Sequence, residues 1–280
     1  MKDSNMGKFS HTVVQIIFIL LTVSLVFPFL WMILNSFKTN VEFYKDIWAF
    51  PEVPQFQNYV KAWTEVGLSK YFLNSVIVTL LGTCASVLSA AMPAYVVAKF
   101  KFRGRNFVYN LAVLGMVIPG ICSFGSLYKL MIQTNLINSH LGLIIYYSGG
   151  LGMGFVILYG FFKSISWSYA EAAYIDGAGF FTTMVKIIFP MAKPSIITVI
   201  LFNFLSFWNE YIISMTLMSS AKGPKTLPVG LLNLMQAQQS AAEYGMMYAG
   251  LVLVMLPTLI LYMCVQKQLT EGMTVGGLKG

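Results

Sequence analysis

The sequence predicts an all-α protein that crosses a membrane several times. Hydrophobic residues occupy 57% of its 280 positions and charged residues only 10%, whereas about 25% of the residues of soluble domains are charged. The mean hydropathy is +0.72. Long uncharged intervals alternate with short charged segments, and a helix needs about 20 apolar residues to cross the hydrocarbon core of a bilayer. The predicted fold class is therefore a polytopic helical membrane protein.

Six apolar intervals are long enough to cross a bilayer as transmembrane helices. The first exceeds the roughly 7–15 apolar residues of a signal peptide, so we expect it to be retained. No interval between the spans has room for a soluble domain, and residues 1–280 are expected to form a single transmembrane domain. The predicted spans are residues 12–35, 71–98, 107–129, 141–163, 194–219 and 244–266.

Basic residues indicate which loops face the cytoplasm. Lys99, Lys101, Arg103 and Arg105 lie together in one short loop, and short basic loops stay on the cytoplasmic side. This places both chain termini and the loop 164–193 in the cytoplasm.

Charge, cysteines and histidines argue against several other classes of protein. The net charge of +8 is carried at the ends of the spans, where anionic lipid headgroups lie, so we expect no nucleic-acid binding. Cys84, Cys122 and Cys264 fall in three predicted spans without CxxC spacing, which indicates buried thiols rather than a disulfide or a metal site. His11 and His140 are predicted at opposite membrane faces, so we expect no metal site from them.

The loop 164–193 carries residue types that suit docking to another protein. Its segment Glu171-Ala172-Ala173-Tyr174-Ile175-Asp176-Gly177 places a carboxylate and two small side chains before a glycine that can turn sharply. Nine residues separate this glycine from Ile187-Ile188-Phe189-Pro190. A structural alternative is that the small residues only allow close packing of helices.

The same loop is predicted to contain two short helices. Ser166 or Ser168 can cap the first helix, and Gly177 with Gly179 can end it. We expect the second helix at Phe180–Lys186. Two prolines then mark the turn into the fifth span, because proline is tolerated near a helix start; they are Pro190 and Pro194.

The pattern E-A-A, three residues, G, nine residues, I-x-(L or F)-P resembles the cytoplasmic coupling loop of permease subunits of bacterial ATP-binding-cassette (ABC) importers. Further motifs resemble the carbohydrate branch, specifically the maltose-permease-like subunit without a large external domain. These motifs are Pro28-Phe29-Leu30-Trp31, Asn35-Ser36-Phe37-Lys38, Gln57-Asn58-Tyr59, Lys101-Phe102-Arg103-Gly104-Arg105, Trp208-Asn209-Glu210 and Gly276-Gly277-Leu278-Lys279-Gly280.

The resemblance implies a permease of the maltose type in the bacterial cytoplasmic (inner) membrane, importing a carbohydrate, in particular an oligosaccharide. It implies a second permease subunit, two ATP-binding subunits and an extracytoplasmic solute-binding protein as partners. It also implies that Gly276–Gly280 can contact the ATPases, a disordered tail being the alternative. The residues implied in docking to an ATPase are Glu171, Ala172, Ala173, Asp176, Gly177, Ile187 and Pro190.

No phosphate-binding G-x-x-x-x-G-K-(S/T) loop occurs in the sequence. The glycine-rich segment Gly149–Gly154 lacks the lysine and lies inside a predicted span, which favours helix packing or a bend. We therefore expect no cofactor and no catalytic residue in this chain, with ATP and Mg²⁺ bound by partner subunits.

A polar stripe crosses the fifth predicted span. Asn203, Ser206, Glu210 and Ser214 follow at i, i+3, i+7 and i+11, which places them on one side of a continuous helix. Glu210 is costly inside a membrane without a partner. Either the stripe lines a substrate path, with Tyr211, or Trp208 on a different face, offering an aromatic ring, or Glu210 ties this helix to a neighbouring helix or subunit.

An ion-coupled secondary transporter is the alternative class of protein. It would use Glu210 as its coupling group, but it gives the Glu171 loop no role and the sequence shows no inverted repeats.

Residues 36–70 are rich in tryptophan, phenylalanine and tyrosine. They form either an interfacial helix with an aromatic belt or a contact with the external binding protein; the two are compatible.

Overall fold

The structure is a computed structural model that describes residues 3–118, 120–220, 223–241 and 243–277. Within these ranges the regular structure is helical, and no β-strand occurs. This confirms the all-α prediction.

The chain forms fifteen α-helices within the described ranges, joined by short turns. A 3₁₀ turn, Gly120–Ser123, precedes α6, and a π-helix, Met184–Ile188, separates α10 from α11. The helices are α1 Asp3–Ser36, α2 Asn40–Lys45, α3 Gln57–Thr64, α4 Leu68–Lys99, α5 Arg105–Val117, α6 Phe124–Gln133, α7 His140–Tyr147, α8 Met153–Ser164, α9 Ser168–Ile175, α10 Phe180–Thr183, α11 Phe189–Met191, α12 Lys193–Trp208, α13 Ile212–Leu217, α14 Leu227–Ala241 and α15 Tyr244–Gly277.

Three helical segments are long and apolar enough to cross a membrane without interruption. They are His11–Ser36 in α1, Leu68–Lys99 and Tyr244–Gln266 in α15, and they agree with the first, second and sixth predicted spans. Phe180–Met191 and Lys193–Trp208 would together form a fourth span, but an 80° bend separates them. Six spans therefore stay a prediction.

The other three predicted spans are each divided into two helices. The division falls around the Gly120–Ser123 turn in the third, at residues 148–152 in the fourth and at residues 209–211 in the fifth. Hydropathy averages over many residues and does not register such local breaks, which glycine and capping side chains produce.

Two compact units make up the chain. Unit 1 comprises residues 1–69 and 231–256, and unit 2 comprises residues 70–230 and 257–280. The prediction of one transmembrane domain is neither confirmed nor contradicted by this division.

In unit 1 a polar cluster fixes the chain where α1 ends. Asn58 Nδ2 donates to the carbonyl oxygens of Ser36 and Lys38 at 2.9 and 3.0 Å, and Ser36 Oγ lies 2.6 Å from Tyr59 Oη. Lys38 is 1% exposed and its Nζ donates to the Asp46 carbonyl at 3.0 Å. Burial lowers the pKa of the Lys38 ammonium, and the carboxylates of Asp46 and Glu42 oppose this shift.

The predicted aromatic region contains the short helices α2 and α3. A capping box starts α2, because Thr39 N donates to Glu42 Oε2 at 2.8 Å and Glu42 N donates to Thr39 Oγ1 at 3.2 Å. Trp48 packs on Phe27 and Trp31, with ring centroids 6.0 and 5.8 Å apart. Tertiary contacts thus hold part of this region.

Unit 2 contains two buried clusters. The larger cluster joins α4, α8, α12 and the π-helix, and its fully buried members include Tyr95, Phe155, Leu158, Phe162 and Ile188. The smaller cluster packs α4 against the residues around α6, α7 and α13; its members are Val78, Met131, Leu143, Tyr147, Ile213, Leu217 and Met218.

Three expectations need correction or extension. Cys84, Cys122 and Cys264 form no disulfide, as expected, but all three are exposed on this chain rather than buried; an apolar span can direct a thiol outward because its surroundings are not water. The helix α14 lies between the fifth and sixth predicted spans, where no helix was predicted. Finally, α15 continues to Gly277, so the part of Gly276–Gly280 after Gly277 lies outside the described residues.

Lys38→Met should alter the pH dependence of stability. Because folding lowers the pKa of this lysine, unfolding takes up a proton between the lowered value and the ordinary value of about 10.4. The free energy of unfolding conferred by Lys38 therefore rises with pH through that window. Thermal unfolding in detergent at pH about 8 and about 10 should show a smaller pH-dependent gain for Lys38→Met than for the wild type. Equal gains would contradict the buried-cation assignment, and Lys45→Met, at an exposed lysine, is the control.

Candidate functional site

The Glu171 loop folds around the short helix α9. Trp167, rather than Ser166 or Ser168, occupies the N-cap position and makes no side-chain cap, which corrects the predicted cap. The Ser166 hydroxyl nevertheless accepts the backbone N–H of Ser168 at 3.3 Å. Glu171 lies in the first turn of the helix, where the positive end of the helix dipole favours a carboxylate.

Gly177 ends α9 as predicted. Ala178 N donates to the Ala173 carbonyl at 2.9 Å, and Gly177 N donates to the Tyr174 carbonyl at 3.1 Å, which is the paired bonding of a Schellman motif. The motif requires a left-handed residue, and Gly177 has φ +81°. A Cβ atom built on it would meet no atom within 4 Å, so space around this turn is open.

The second helical segment is longer than predicted. Instead of ending at Lys186 it runs from Phe180 through the π-helix to Met191, and an 80° bend then leads into α12. Pro190 and Pro194 each lie in the first turn of a helix, as expected for the turn. A π-helix widens the helix by one residue per turn and is frequent at functional sites.

The structure separates the seven predicted docking residues into exposed and packed groups. Ala173 is 4% exposed and packs inward, and Ile187 is half-buried against the larger core cluster. Neither the Glu171 nor the Asp176 carboxylate has a hydrogen-bond or ion-pair partner among the described residues. The exposed members are Glu171, Ala172, Asp176, Gly177 and Pro190.

Sequence reasoning missed the apolar side chains on the same surface. Ile175 is 86% exposed and Phe181 is 69% exposed. The sequence contains a signal for both. Ile175 lies between Glu171 and Gly177, and Phe181 directly follows the predicted start of the second helix. Exposed large apolar side chains rimmed by charge mark a protein interaction surface.

Aromatic rings hold this surface on the membrane-embedded helices of unit 2. The Trp167 ring lies edge-on to Phe100 with centroids 5.5 Å apart, and Phe180 lies 5.5 Å from Phe100 and 5.8 Å from Tyr95. Lys99 Nζ also donates to the Ile165 carbonyl. This surface is therefore anchored to the end of α4 by aromatic rings and by the hydrogen bond of Lys99.

The predicted polar stripe does not form, because α12 ends at Trp208 before Glu210 is reached. Glu210 instead caps α13. Its Oε1 accepts Ile213 N at 2.6 Å and its Oε2 accepts Ser214 N at 2.9 Å and the Ser214 hydroxyl at 2.8 Å. The Tyr147 hydroxyl on α7 donates to Oε2 at 3.0 Å. This agrees with the alternative in which Glu210 ties its segment to a neighbouring helix.

The remaining stripe residues lie in different surroundings. Asn203 Nδ2 donates to Ser86 Oγ at 3.0 Å, and both residues line a cavity of about 320 Å³. Ser206 is exposed, and Ser214 is buried. Trp208 is 3% exposed and stacks on Phe204, so it offers no open ring face in this arrangement. Their roles in a substrate path stay predictions.

No cluster of three or more histidine, cysteine or acidic residues that could hold a metal ion occurs in the part of the chain that the structure describes.

The fold and the loop together define an integral membrane component of a transport system. The family of binding-protein-dependent transport system inner membrane components matches residues 82–275, and the chain belongs to this family. It is thus a multi-pass membrane component of a transporter rather than an enzyme, and it works with other transporter subunits and a binding protein.

Relatives and a solved structure agree with this membership. The diacetylchitobiose uptake system permease protein of Streptomyces coelicolor is 32% identical over 98% of this chain and 89% of its own. The galactooligosaccharides transport system permease protein of Bacillus subtilis is 30% identical over 93% and 92%. A crystal structure of a bacterial ABC transporter involved in the import of the acidic polysaccharide alginate shares the fold, with a TM-score of 0.78, 22% identity and coverage of 93% and 96%.

Glu210→Ala should destabilise unit 2, because it leaves the first N–H groups of α13 and the Tyr147 hydroxyl without their acceptor. The expected loss in the free energy of unfolding is about 1–3 kcal/mol. Glu210→Gln keeps an acceptor oxygen and should lose less. Thermal unfolding of both variants in detergent measures the difference, and equal stability of Glu210→Ala and wild type would contradict the capping role.

Proposed function

We propose that this chain is the membrane permease of an ATP-driven ABC importer for a carbohydrate, and that the loop 164–193 docks on a separate ATP-binding subunit. The observation that carries the proposal is the exposed end of α9, where two carboxylates without partners among the described residues flank an exposed isoleucine, and an open glycine turn follows. The residues are Glu171, Ile175, Asp176 and Gly177.

The shape and chemistry of this surface suit insertion into a cleft of a partner. Ala172 adds no bulk, so another backbone can approach closely. Glu171 and Asp176 supply acceptors for the donors of a partner, and Ile175 supplies apolar area to be buried. Because Ala173 and Ile187 pack inward, their role is to seat the loop rather than to touch the ATPase, whereas Pro190 sets the turn into α12.

The aromatic anchor gives a mechanical reason for coupling. Closure of the ATPase subunits would push on α9, and the rings of Trp167, Phe100 and Phe180 would pass that displacement to α4 while α12 moves with the bend. ATP shifts the transporter between its two states only if it binds one state more tightly. ATP and Mg²⁺ belong to the partner subunits in this scheme, which comprise two ATP-binding subunits, a second permease and an extracytoplasmic solute-binding protein.

The proposed topology has six spans in a bacterial inner membrane with both termini in the cytoplasm. The 80° bend before α12 supports it, because a helix that lies along the membrane surface must turn sharply to enter the bilayer. The basic residues of the turn between α4 and α5 fall on the same side as the docking loop, which is where the distribution of lysine and arginine places the cytoplasm.

The proposed cargo is an oligosaccharide. Relatives named for transport of diacetylchitobiose, galactooligosaccharides and starch degradation products support this class. The proposed substrate path includes Asn203, which reaches a cavity, together with Ser206, Trp208, Glu210 and Ser214 as the sequence predicted.

The ion-coupled alternative is not favoured. Membership in a binding-protein-dependent family leaves no need for an ion gradient, and the Glu210 carboxylate already accepts four hydrogen bonds inside the chain. Glu210→Gln keeps a polar oxygen at the start of α13 and in the substrate path, so it should retain ATP-driven uptake in proteoliposomes without a proton or sodium gradient. Uptake that requires such a gradient in the wild type would restore the alternative.

Gly177→Arg should abolish both ATP hydrolysis stimulated by the binding protein and sugar uptake. The arginine places bulk and charge in the open turn where the ATPase docks, and its left-handed backbone adds roughly 1–2 kcal/mol of strain. Both activities are measured with the complex purified with its own partner subunits and reconstituted in proteoliposomes.

Two control variants separate docking from folding. Gly177→Ala has the same backbone strain without the bulk and should keep most activity. Gly104→Arg is also at positive φ with open space around it, but it lies in the turn between α4 and α5 and should keep the complex coupled. Full activity of Gly177→Arg would overturn the docking assignment.

A further inference from the structure

The unwound segment at residues 148–152, between α7 and α8, lies outside the loop proposed to dock on an ATPase. It lies within the fourth predicted span. Backbone N–H and C=O groups outside a helix lack intrahelical hydrogen bonds there, and lipid tails offer no replacement. Such irregular backbone is tolerated at membrane depth only where it is packed in protein or lines a polar cavity. The segment therefore calls for a polar environment of its own.

Glycine residues seat this segment on its neighbours and keep one side open. A Cβ atom on Gly150 would overlap the backbone of Ser89, and one on Gly154 would lie 3.1 Å from Val199 Cγ1, so these glycines allow close packing on α4 and α12. Gly152 has φ +142°, and a Cβ atom there would meet nothing within 4 Å. The side of the segment at Gly152 is therefore open, and no side chain of that residue fills the space.

The open side faces the cavity of about 320 Å³. Its polar wall contains the hydrogen-bonded pair of Asn203 and Ser86 as well as the glycine backbone. Its aromatic wall contains the half-buried Tyr146 and Phe207, and the buried Tyr147 ring packs behind Phe207, with centroids 4.2 Å apart and planes 6° from parallel.

We propose that this cavity is a subsite for one ring of a neutral sugar during transport. Sugar hydroxyls both donate and accept hydrogen bonds, which matches the amide of Asn203, the hydroxyl of Ser86 and the backbone of the glycine segment, while the apolar C–H faces of the ring match aromatic walls. The volume is at the low end of the roughly 300–1,000 Å³ of ligand pockets, which suits one ring rather than a whole oligosaccharide.

The absence of charged residues from the cavity walls restricts the class of ligand further. The residues that line the cavity are all uncharged, and the nearby Glu210 carboxylate is already used in capping α13. An anionic sugar would lose hydration without gaining a cation, and a metal or sodium ion would find no carboxylate. The subsite therefore selects neutral rings.

This inference rests on the proposed function, and its test uses the whole complex with its binding protein in proteoliposomes. The probe is whichever of radiolabelled diacetylchitobiose, galactooligosaccharide and maltotriose the wild type takes up fastest. Asn203→Leu keeps the side-chain size but removes the amide, and Ser86→Ala is the milder variant. Asn110→Leu makes the same exchange as Asn203→Leu on the exposed side of α5, away from the cavity, and is the matched control.

Asn203→Leu should raise the KM for uptake about 10-fold, the loss expected for one or two hydrogen bonds to the sugar. Ser86→Ala should raise it less. ATP hydrolysis stimulated by the sugar-loaded binding protein should stay at the wild-type level in both variants, because neither side chain lies in the loop 164–193 that docks on the ATPase. Asn110→Leu should match the wild type in both measurements, and the acidic disaccharide unit of alginate should not compete with uptake.

The two proposals fail in different ways. Unchanged uptake by Asn203→Leu and Ser86→Ala, with uptake abolished by Gly177→Arg, would overturn the subsite alone. Competition by the acidic disaccharide would overturn its selectivity for neutral rings. Loss of stimulated ATP hydrolysis in Ser86→Ala would assign the cavity a structural role instead. Unchanged uptake by Gly177→Arg, in contrast, would overturn the proposed function itself.

Discussion

Helix breaks inside apolar segments are the constraint on which unit 2 depends. A break frees backbone N–H and C=O groups that lipid cannot bind, so the chain must provide partners for them. Glu210 does this for the start of α13 with its carboxylate oxygens. Around residues 148–152, glycines let the backbone lie directly on α4 and face a polar cavity. The same requirement thus accounts for an acidic residue in an apolar segment and for a glycine-rich loop.

The exposed surface of α9 and the cavity are both built against α4. Ser86 lies in the middle of α4, and Phe100 directly after its last residue Lys99 meets the ring of Trp167. Aromatic rings pack closely and leave little free space between the start of α9 and the end of α4. In the proposed scheme this contact would pass a displacement of α9 to the helix that carries Ser86.

Several features of the fold and the site follow from the sequence because they depend on local chemistry. Gly177 was predicted to end α9, and it does so in the left-handed conformation that glycine alone adopts cheaply. Pro190 and Pro194 were predicted at the turn, where a missing backbone N–H costs nothing. The polar stripe failed for the opposite reason: its spacing assumes a continuous helix, whereas the Glu210 side chain stabilises a break.

Hydropathy and motif spacing identify the helical membrane class, the family of the chain and the position of the loop 164–193, because they are properties of consecutive residues. Tertiary packing is needed to establish that Ala172 is exposed while Ala173 is buried, that Ile175 projects from the loop, and that Asn203 meets Ser86 from another helix. These depend on which elements pack together, and contacts between residues more than a hundred positions apart leave no periodic signal in the chain.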